Sequence, residues 1–409
     1  MNKKINKSNS GARKAGEILR NNFKNGEVYN NEALDILSWW RESHQDSLNI
    51  ALAILQKESI KIDSKPILAK RLKRAPSIIE KLNRLSNDSE TSKLDRMQDI
   101  GGCRVVVTSP KKAKKIANIL KNDYKYKLKN DYIEKPKDNG YKSIHLVGKI
   151  ENFEGKSKQI EFQIRSKIQH YWATTLEIFD IYNKTSIKTG EIDFYWSRFW
   201  KNISDVFEIF ESNIHVHTST SEQIYSSFLN EIRGSNSLLQ KKLHTIYILD
   251  KKLQIRKKLN LYRKSLKETV NYINENIPTD ADVYALITIT ETQNNEYNMN
   301  VLFYSKDNYN TANKDYLAEE KRYFSNKNFI TALVSTNSMN NIKEAYPNYF
   351  ADSSKFETYL DMIISAYEKE NGIVFILFNR IRYFEYRDYV PKFIFYFMDR
   401  FKNRMQFGK

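Results

Sequence analysis

A single cysteine, Cys103, in 409 residues excludes an intrachain disulfide and any multi-cysteine zinc site. It lies in an apolar, β-branched run, where a small buried core residue fits better than a nucleophile. The six histidines are scattered, with no pair at zinc-ligand spacing and no His-Asp doublet of a metal-dependent hydrolase. With only 12 glycines and 7 prolines, the chain is neither linker-rich nor collagen-like. It has no Gly-x-x-x-x-Gly-Lys-Ser/Thr phosphate loop, and no Gly-x-Gly-x-x-Gly opens a helix. Long apolar runs are missing as well. FIFYFMDRF (393–401) is too short to span a bilayer. The charged start, MNKKINKSNSG, lacks the apolar stretch of a signal peptide. The expectation is a cytoplasmic protein in a reducing compartment, with no membrane partner.

What is present is enough for real cores: 40% of residues are hydrophobic and 13% aromatic, in a length that suits two domains. Lys+Arg 67 against Asp+Glu 49 gives a net charge of +18, which favours polyanionic partners without choosing among them. Helical spacing runs through 12–58, by way of Ala33, Ile36, Leu37, Trp40, Leu48, Ala51 and Leu55. Pro66 interrupts, and a second helix starts near Pro76. The period then changes. IGGCRVVV (100–107) reads as a strand, 110–122 as a lysine-rich helix, and Tyr124 to Glu134, Ser143 to Ile150 and Lys158 to Arg165 as strands. Helices follow from Lys167 through Phe179 and over 191–211, with Trp39, Trp40, Trp172, Trp196 and Trp200 as core aromatics. This order predicts an α/β (α+β) class: a mixed sheet flanked by helices over 1–212, a polar linker at His215–Glu222, and a second α+β domain over 223–409. That second part reads as helical to 277, then as strands ADVYALITIT, YNMNVLFYS and NFITALVST and the helix SSKFETYLDMIISAYEKE.

Without a phosphate loop, nucleotide chemistry here would rest on charged side chains and carboxylate-held Mg²⁺. Three segments supply such groups. In AKRLKRAPSIIEKLNR (69–84), Arg71, Lys73 and Arg74 precede a helix N-terminus, and Ser77 and Lys81 follow at one-turn intervals. In MQDIGGCRVVV (97–107), Asp99 stands at the lip of a strand beside Gly101 and Gly102. In KQIEFQIRSK (158–167), period-two alternation puts Glu161, Gln163 and Arg165 on the face opposite Ile160, Phe162 and Ile164. A fourth stretch, YIEKPKDNGYKSIHLV, sets Tyr141 directly on a turn glycine beside Lys135, Lys137 and Lys142. Each segment alone also reads as an ordinary solvated face, turn or strand.

Their order and spacing resemble the synthetase domain of the RelA/SpoT family of nucleotide pyrophosphokinases. The matching residues are Arg71-x-Lys73 with Ser77 and Lys81, then Asp99-Ile-Gly-Gly-x-Arg104. Tyr132-Ile-x-x-Pro-Lys, Asn139-Gly-Tyr-x-Ser-x-His145 and Glu161-x-Gln-Ile-Arg165 follow, over about 66–180. His170, Trp172, Ala173 and Glu177 also look family-like. Gly101 and Cys103 stand where Ala and an aliphatic are more usual, and Phe162 replaces an aliphatic, so no charged group is lost.

The resemblance implies a nucleotidyltransferase-like fold and a small, synthetase-only enzyme. It would transfer the β,γ-pyrophosphate of ATP to the 3′-hydroxyl of GDP or GTP, making a guanosine alarmone. Arg71, Lys73, Arg74, Ser77 and Lys81 would bind ATP, and Asp99 and Glu161 would be catalytic and hold Mg²⁺. Lys135, Lys137, Asn139, Tyr141, His145 and Arg165 would bind the acceptor, with Arg104, Gln163 and Glu177 in support. Toxic relatives imply another acceptor, an adenosine nucleotide or the tRNA 3′ end, with the C-terminal domain as a neutralising or sensing module. A catalytically inactive RNA-binding protein and a homo-oligomer stay open.

Overall fold

A computed structural model describes residues 5–85, 93–182, 194–212, 219–233, 235, 237–272, 283–292, 296–323, 329–336 and 342–384. The helical pattern of 12–58 is three helices, α1 (Asn9–Asn25), α2 (Asn31–Glu42) and α3 (Gln45–Ile60). Two local signals break it. Gly26 ends α1 in the left-handed region at φ 66°, and the Asn30 side chain caps α2 by accepting from the Ala33 N–H.

Strand β1 (Ile67–Leu72) then leads into α4 (Ala75–Arg84), whose Pro76 sits in the first turn, as expected. Beyond it come β2 (Gly101–Val107), α5 (Pro110–Asn122), β3 (Lys127–Asp131), β4 (Ile144–Glu151), β5 (Ser157–Ser166), α6 (Lys167–Tyr182) and α7 (Phe194–Ser212). The second half supplies α8 (Ser221–Arg233), α9 (Ser237–Leu253), α10 (Ile255–Ser265), β6 (Leu266–Tyr272), β7 (Val283–Glu291) and β8 (Tyr297–Ser305). It ends in α11 (Tyr309–Arg322), β9 (Phe329–Thr336), α12 (Ile342–Ala345) and α13 (Ser354–Phe384). Of the expected linker, 215–218 lie outside the described residues, and Ser221 and Glu222 already belong to α8.

The helical reading of 223–277 fails at its end. Residues 266–272 form β6, because pairing alongside β8 overrides local propensity, and 273–277 lie outside the described residues. Three of the elements named here carry no expectation from sequence, β1, α11 and α12.

The strands form one nine-stranded mixed sheet in the order β3-β4-β5-β2-β1-β9-β7-β8-β6. Its two halves meet where β1 pairs antiparallel with β9, Arg71 opposite Val334 and Lys70 opposite Ser335. The segments divided in the sequence at 212 and 223 therefore share a sheet. They also share a core: Ile67, Ala69 and Val106 pack in one cluster with residues of α6, α7, α8, α9 and α13. The opposite face of the first half is closed by α3 and α5, whose Leu48, Ala51, Ile116 and Leu120 cover Cys103, Val105, Phe162 and Ile164. Cys103 is buried there with its thiol pKa pushed up by burial, as the sequence predicts for a core residue. Trp40, Trp172 and Trp200 are buried, and Trp39 and Trp196 partly so. No described helix is long and apolar enough to cross a membrane.

Candidate functional site

β5 lies between β4 and β2, so its polar alternation does not face solvent from an edge. Register does the assembling. β2 and β5 run parallel with Gly102 beside Glu161, Arg104 beside Gln163 and Val106 beside Arg165. On the other flank His145 of β4 lies opposite Gln163, and across β2, Arg71 of β1 lies opposite Gly102. Alternation then puts Arg71, Arg104, His145, Glu161, Gln163 and Arg165 on one face of the sheet. Gly102 leaves the position between Glu161 and Arg71 without a side chain, and an added Cβ there would meet only the Glu161 carbonyl oxygen, at 3.9 Å.

The carboxylates differ in their partners. Asp99, just before β2, accepts from Lys73 Nζ at 3.1 Å and Lys81 Nζ at 2.6 Å through one oxygen. Its other oxygen, Oδ1, is buried and has no hydrogen-bond partner among the described residues. Burial works against its ionisation, yet the two lysines hold its pKa well below the usual carboxylate range. Lys73 is itself shifted down, because burial outweighs the attraction of Asp99. Glu161 is 8% exposed and bonded to His145 Nδ1 at 3.1 Å and Gln163 Nε2 at 2.9 Å. Burial opposes ionisation here too, but the bond to His145 and its charge bring Glu161 down to about 2, against repulsion from Asp99.

Arg104 and Arg165 are buried on the same face, 7% and 1% exposed. Arg104 Nε and Nη1, and Arg165 Nε and Nη2, find no hydrogen-bond partner among the described residues. Burial, then repulsion from Arg104, lowers the Arg165 guanidinium to about 9, with Tyr141 and Glu177 opposing. Glu177, half-buried on α6, also acts on Arg71. Arg74 stands at the N-cap of α4 and Ser77 on its first turns, both half-buried.

The turn before β4 carries the remaining candidates. Asn139 accepts the Tyr141 N–H at 3.1 Å, fixing the bend. The Tyr141 hydroxyl meets His145 Nε2 at 2.9 Å, so Tyr141, His145 and Glu161 form one chain of hydrogen bonds. Lys137 Nζ lies 5.2 Å from the Tyr141 ring centroid, and Lys135 is exposed on the same turn.

The second half of the chain also reaches this face, which no motif in it announces. Tyr349 accepts from Arg71 Nη1 at 3.3 Å, and Tyr346 donates to the carbonyls of Lys70 at 2.8 Å and Ser335 at 3.1 Å. His170 contacts the Glu344 carbonyl at 3.0 Å. Glu320 of α11 accepts the Ala75 N–H at 3.0 Å, on the first residue of α4. The pattern Tyr-Pro-Asn-Tyr (346–349) is the local signal that marks part of this segment, and it reads as a plain turn.

Residues 70–187 match the region found in RelA / SpoT proteins. Two curated relatives from Bacillus subtilis are similar. GTP pyrophosphokinase YwaC is 31% identical over 110 residues, 25% of this chain and 52% of that protein. GTP pyrophosphokinase YjbM is 32% identical over 109 residues, 25% of this chain and 51% of that protein. The chain thus spans about half the length of the curated relatives it matches. Among solved structures, small alarmone synthetase 1 of Bacillus subtilis bound to pppGpp aligns at 24% identity and a TM-score of 0.34, covering 43% of this chain and 90% of that one. A GTP pyrophosphokinase family protein from Streptococcus pneumoniae aligns at 22% identity and a TM-score of 0.35, over 46% of this chain and 97% of that one. Residues 70–187 are therefore a RelA/SpoT-type region, similar to part of two GTP pyrophosphokinases and set within a longer chain.

Proposed function

We propose that this chain is a nucleotide pyrophosphokinase that moves the β,γ-pyrophosphate of ATP to the 3′-hydroxyl of GDP or GTP. AMP leaves and a guanosine tetra- or pentaphosphate forms. The observation that carries this reading is the pair of buried guanidinium groups on the sheet face that holds Glu161, Arg104 and Arg165, each with two nitrogens that find no hydrogen-bond partner among the described residues. Buried guanidinium nitrogens left without acceptors are costly, and a polyphosphate satisfies them.

Transfer of this kind asks a protein chiefly for positioning and charge neutralisation. Arg71, Lys73, Arg74, Ser77 and Lys81 hold the ATP phosphates at the start of α4. Tyr141 carries the acceptor base, while Lys135, Lys137, Asn139, His145 and Arg165 meet the acceptor. Arg104, Gln163 and Glu177 support them, Gln163 by holding Glu161. Glu161, ionised and tied to His145, accepts the proton of the attacking hydroxyl. Asp99 and Glu161 fit a Mg²⁺ ion. The buried Asp99 Oδ1 has no hydrogen-bond partner among the described residues, and this ion is usually held by one or two carboxylates plus substrate phosphates. Bound there, it would neutralise charge on the transferring phosphates.

The test offers GDP, GTP, ADP and bulk tRNA in parallel, with γ-labelled ATP and Mg²⁺. Label in the guanosine nucleotides is the expected result. Label confined to ADP or tRNA overturns the guanosine reading. No transfer to any acceptor, with wild type matching Glu161→Gln, leaves an RNA-binding protein that does no chemistry.

A second reading, a toxin of the same fold with its C-terminal half as a neutralising module, is favoured by a specific set of contacts. Tyr349 occupies Arg71, and the Glu320 carboxylate occupies the first amide of α4, where a donor phosphate would otherwise sit. On this reading Tyr349→Phe frees Arg71 and lowers the KM for ATP about tenfold or more, the worth of one hydrogen bond to a charged group. An unchanged KM would remove Tyr349 from any neutralising role.

A further inference from the structure

The hydrogen bonds that fix the Tyr141 turn from outside come from α7, which lies beyond residues 70–187. Ser204 Oγ donates to the Gly140 carbonyl at 2.5 Å. Glu208 pairs with Lys142 Nζ at 2.7 Å, and Lys142 is only 5% exposed. These two contacts grip the residues on either side of Tyr141. Gly140 itself lies so close to α7 that a Cβ would stand 2.7 Å from Ser204 Cβ and 3.1 Å from Lys201 Cα, and its φ of +92° already favours glycine. The Tyr141 ring, by contrast, has edge contacts to Tyr132 and His145 and a tilted one to Trp172, with centroids 5.7, 5.8 and 6.3 Å away. The backbone at 140 and 142 thus sets where the ring starts from, and the bond of its hydroxyl to His145 Nε2 at 2.9 Å holds its far end.

Other positions of α7 face the second half of the chain. Asp205 pairs with Lys242 of α9 at 2.7 Å, while Phe207 packs on Phe356 and Phe210 on Tyr359 of α13. α7 thus lies between the acceptor turn and the C-terminal helices.

We propose that Ser204 and Glu208 are positioning residues for the acceptor. They hold the Gly140–Lys142 backbone so that Tyr141 presents its ring to the acceptor base, and the C-terminal helices set that geometry through α7. The proposal rests on reading Tyr141 as the acceptor platform. It is tested in the full chain, with the acceptor that takes label in the four-acceptor assay, by measuring KM for acceptor and for ATP in Ser204→Ala, Glu208→Gln and Tyr141→Ala. Each α7 variant is expected to raise the acceptor KM about fivefold to tenfold, the loss of one hydrogen bond or ion pair, with the KM for ATP and the thermal midpoint unchanged. Acceptor KM unmoved by both α7 variants but raised by Tyr141→Ala overturns the bracing role and leaves the acceptor reading standing. Acceptor KM unmoved by Tyr141→Ala, or no label in any acceptor, overturns the reading beneath it. Parallel losses for both substrates with a lowered midpoint make α7 structural and also overturn the proposal.

Discussion

Replacing Glu161 by Gln is expected to lower pyrophosphoryl transfer about 10²–10⁴-fold, the usual worth of a positioned acid–base group. The substitution keeps the shape of the side chain and an acceptor oxygen for one of its two partners, His145 Nδ1 or Gln163 Nε2. It removes the negative charge, which His145 and Gln163 stabilise strongly enough to overcome burial and bring the group down to about 2. Because the site is built on a central strand, the fold should survive, and far-ultraviolet circular dichroism should match wild type. A variant retaining more than a tenth of the activity would show that Glu161 neither takes the proton nor holds an essential cation.

Arg41→Ala is expected to cost about 3–5 kcal/mol of stability, as removal of one partner from a buried pair does. Arg41, on α2, is 1% exposed and bonds Glu320 and Tyr316 on α11, while its Nε donates to the Lys73 carbonyl at 2.8 Å. Burial would lower its pKa, but Glu320 and Tyr316 outweigh this and raise it. One guanidinium therefore ties the first helices, the ATP-side backbone and the C-terminal half. Without it the Glu320 carboxylate stays buried with, among the described residues, only the Ala75 N–H and the Tyr316 hydroxyl to hold it. Urea unfolding measures the loss. The double variant Arg41→Ala/Glu320→Ala should lose clearly less than the sum of the two singles. A loss below about 1 kcal/mol for Arg41→Ala would mean the junction is held by the β1–β9 pairing and apolar contacts alone.

The legible parts of the fold are those whose signal is short-range. Ile160, Phe162 and Ile164 alternate with Glu161, Gln163 and Arg165, and that period alone assigns the two faces of β5. α5 announces itself through Pro110 at its start and the spacing of Ala113, Ile116, Ala117 and Leu120. β1 was not legible, because Lys70 and Arg71 interrupt its apolar residues and its stability comes from partners on both sides. The same holds for β6, which exists by pairing with β8.

The candidate site divides likewise. Asp99, Glu161 and the basic residues near them stand in ordered motifs, and the parallel register of β2 and β5 brings several of them to one face. Ser204, Glu208, Glu320 and Tyr349 reach that region from helices and a turn 64 to 278 residues away from their partners along the chain. Their role depends on packing between distant elements, which no local period encodes.

The central claim is that two phosphates move together. ATP labelled on its β-phosphate, incubated with the full chain, Mg²⁺ and the preferred acceptor, should deliver its label to the acceptor and leave AMP unlabelled. Label retained in ADP, with only the γ-phosphate found on the acceptor, would contradict the account, since the site would then be a simple kinase.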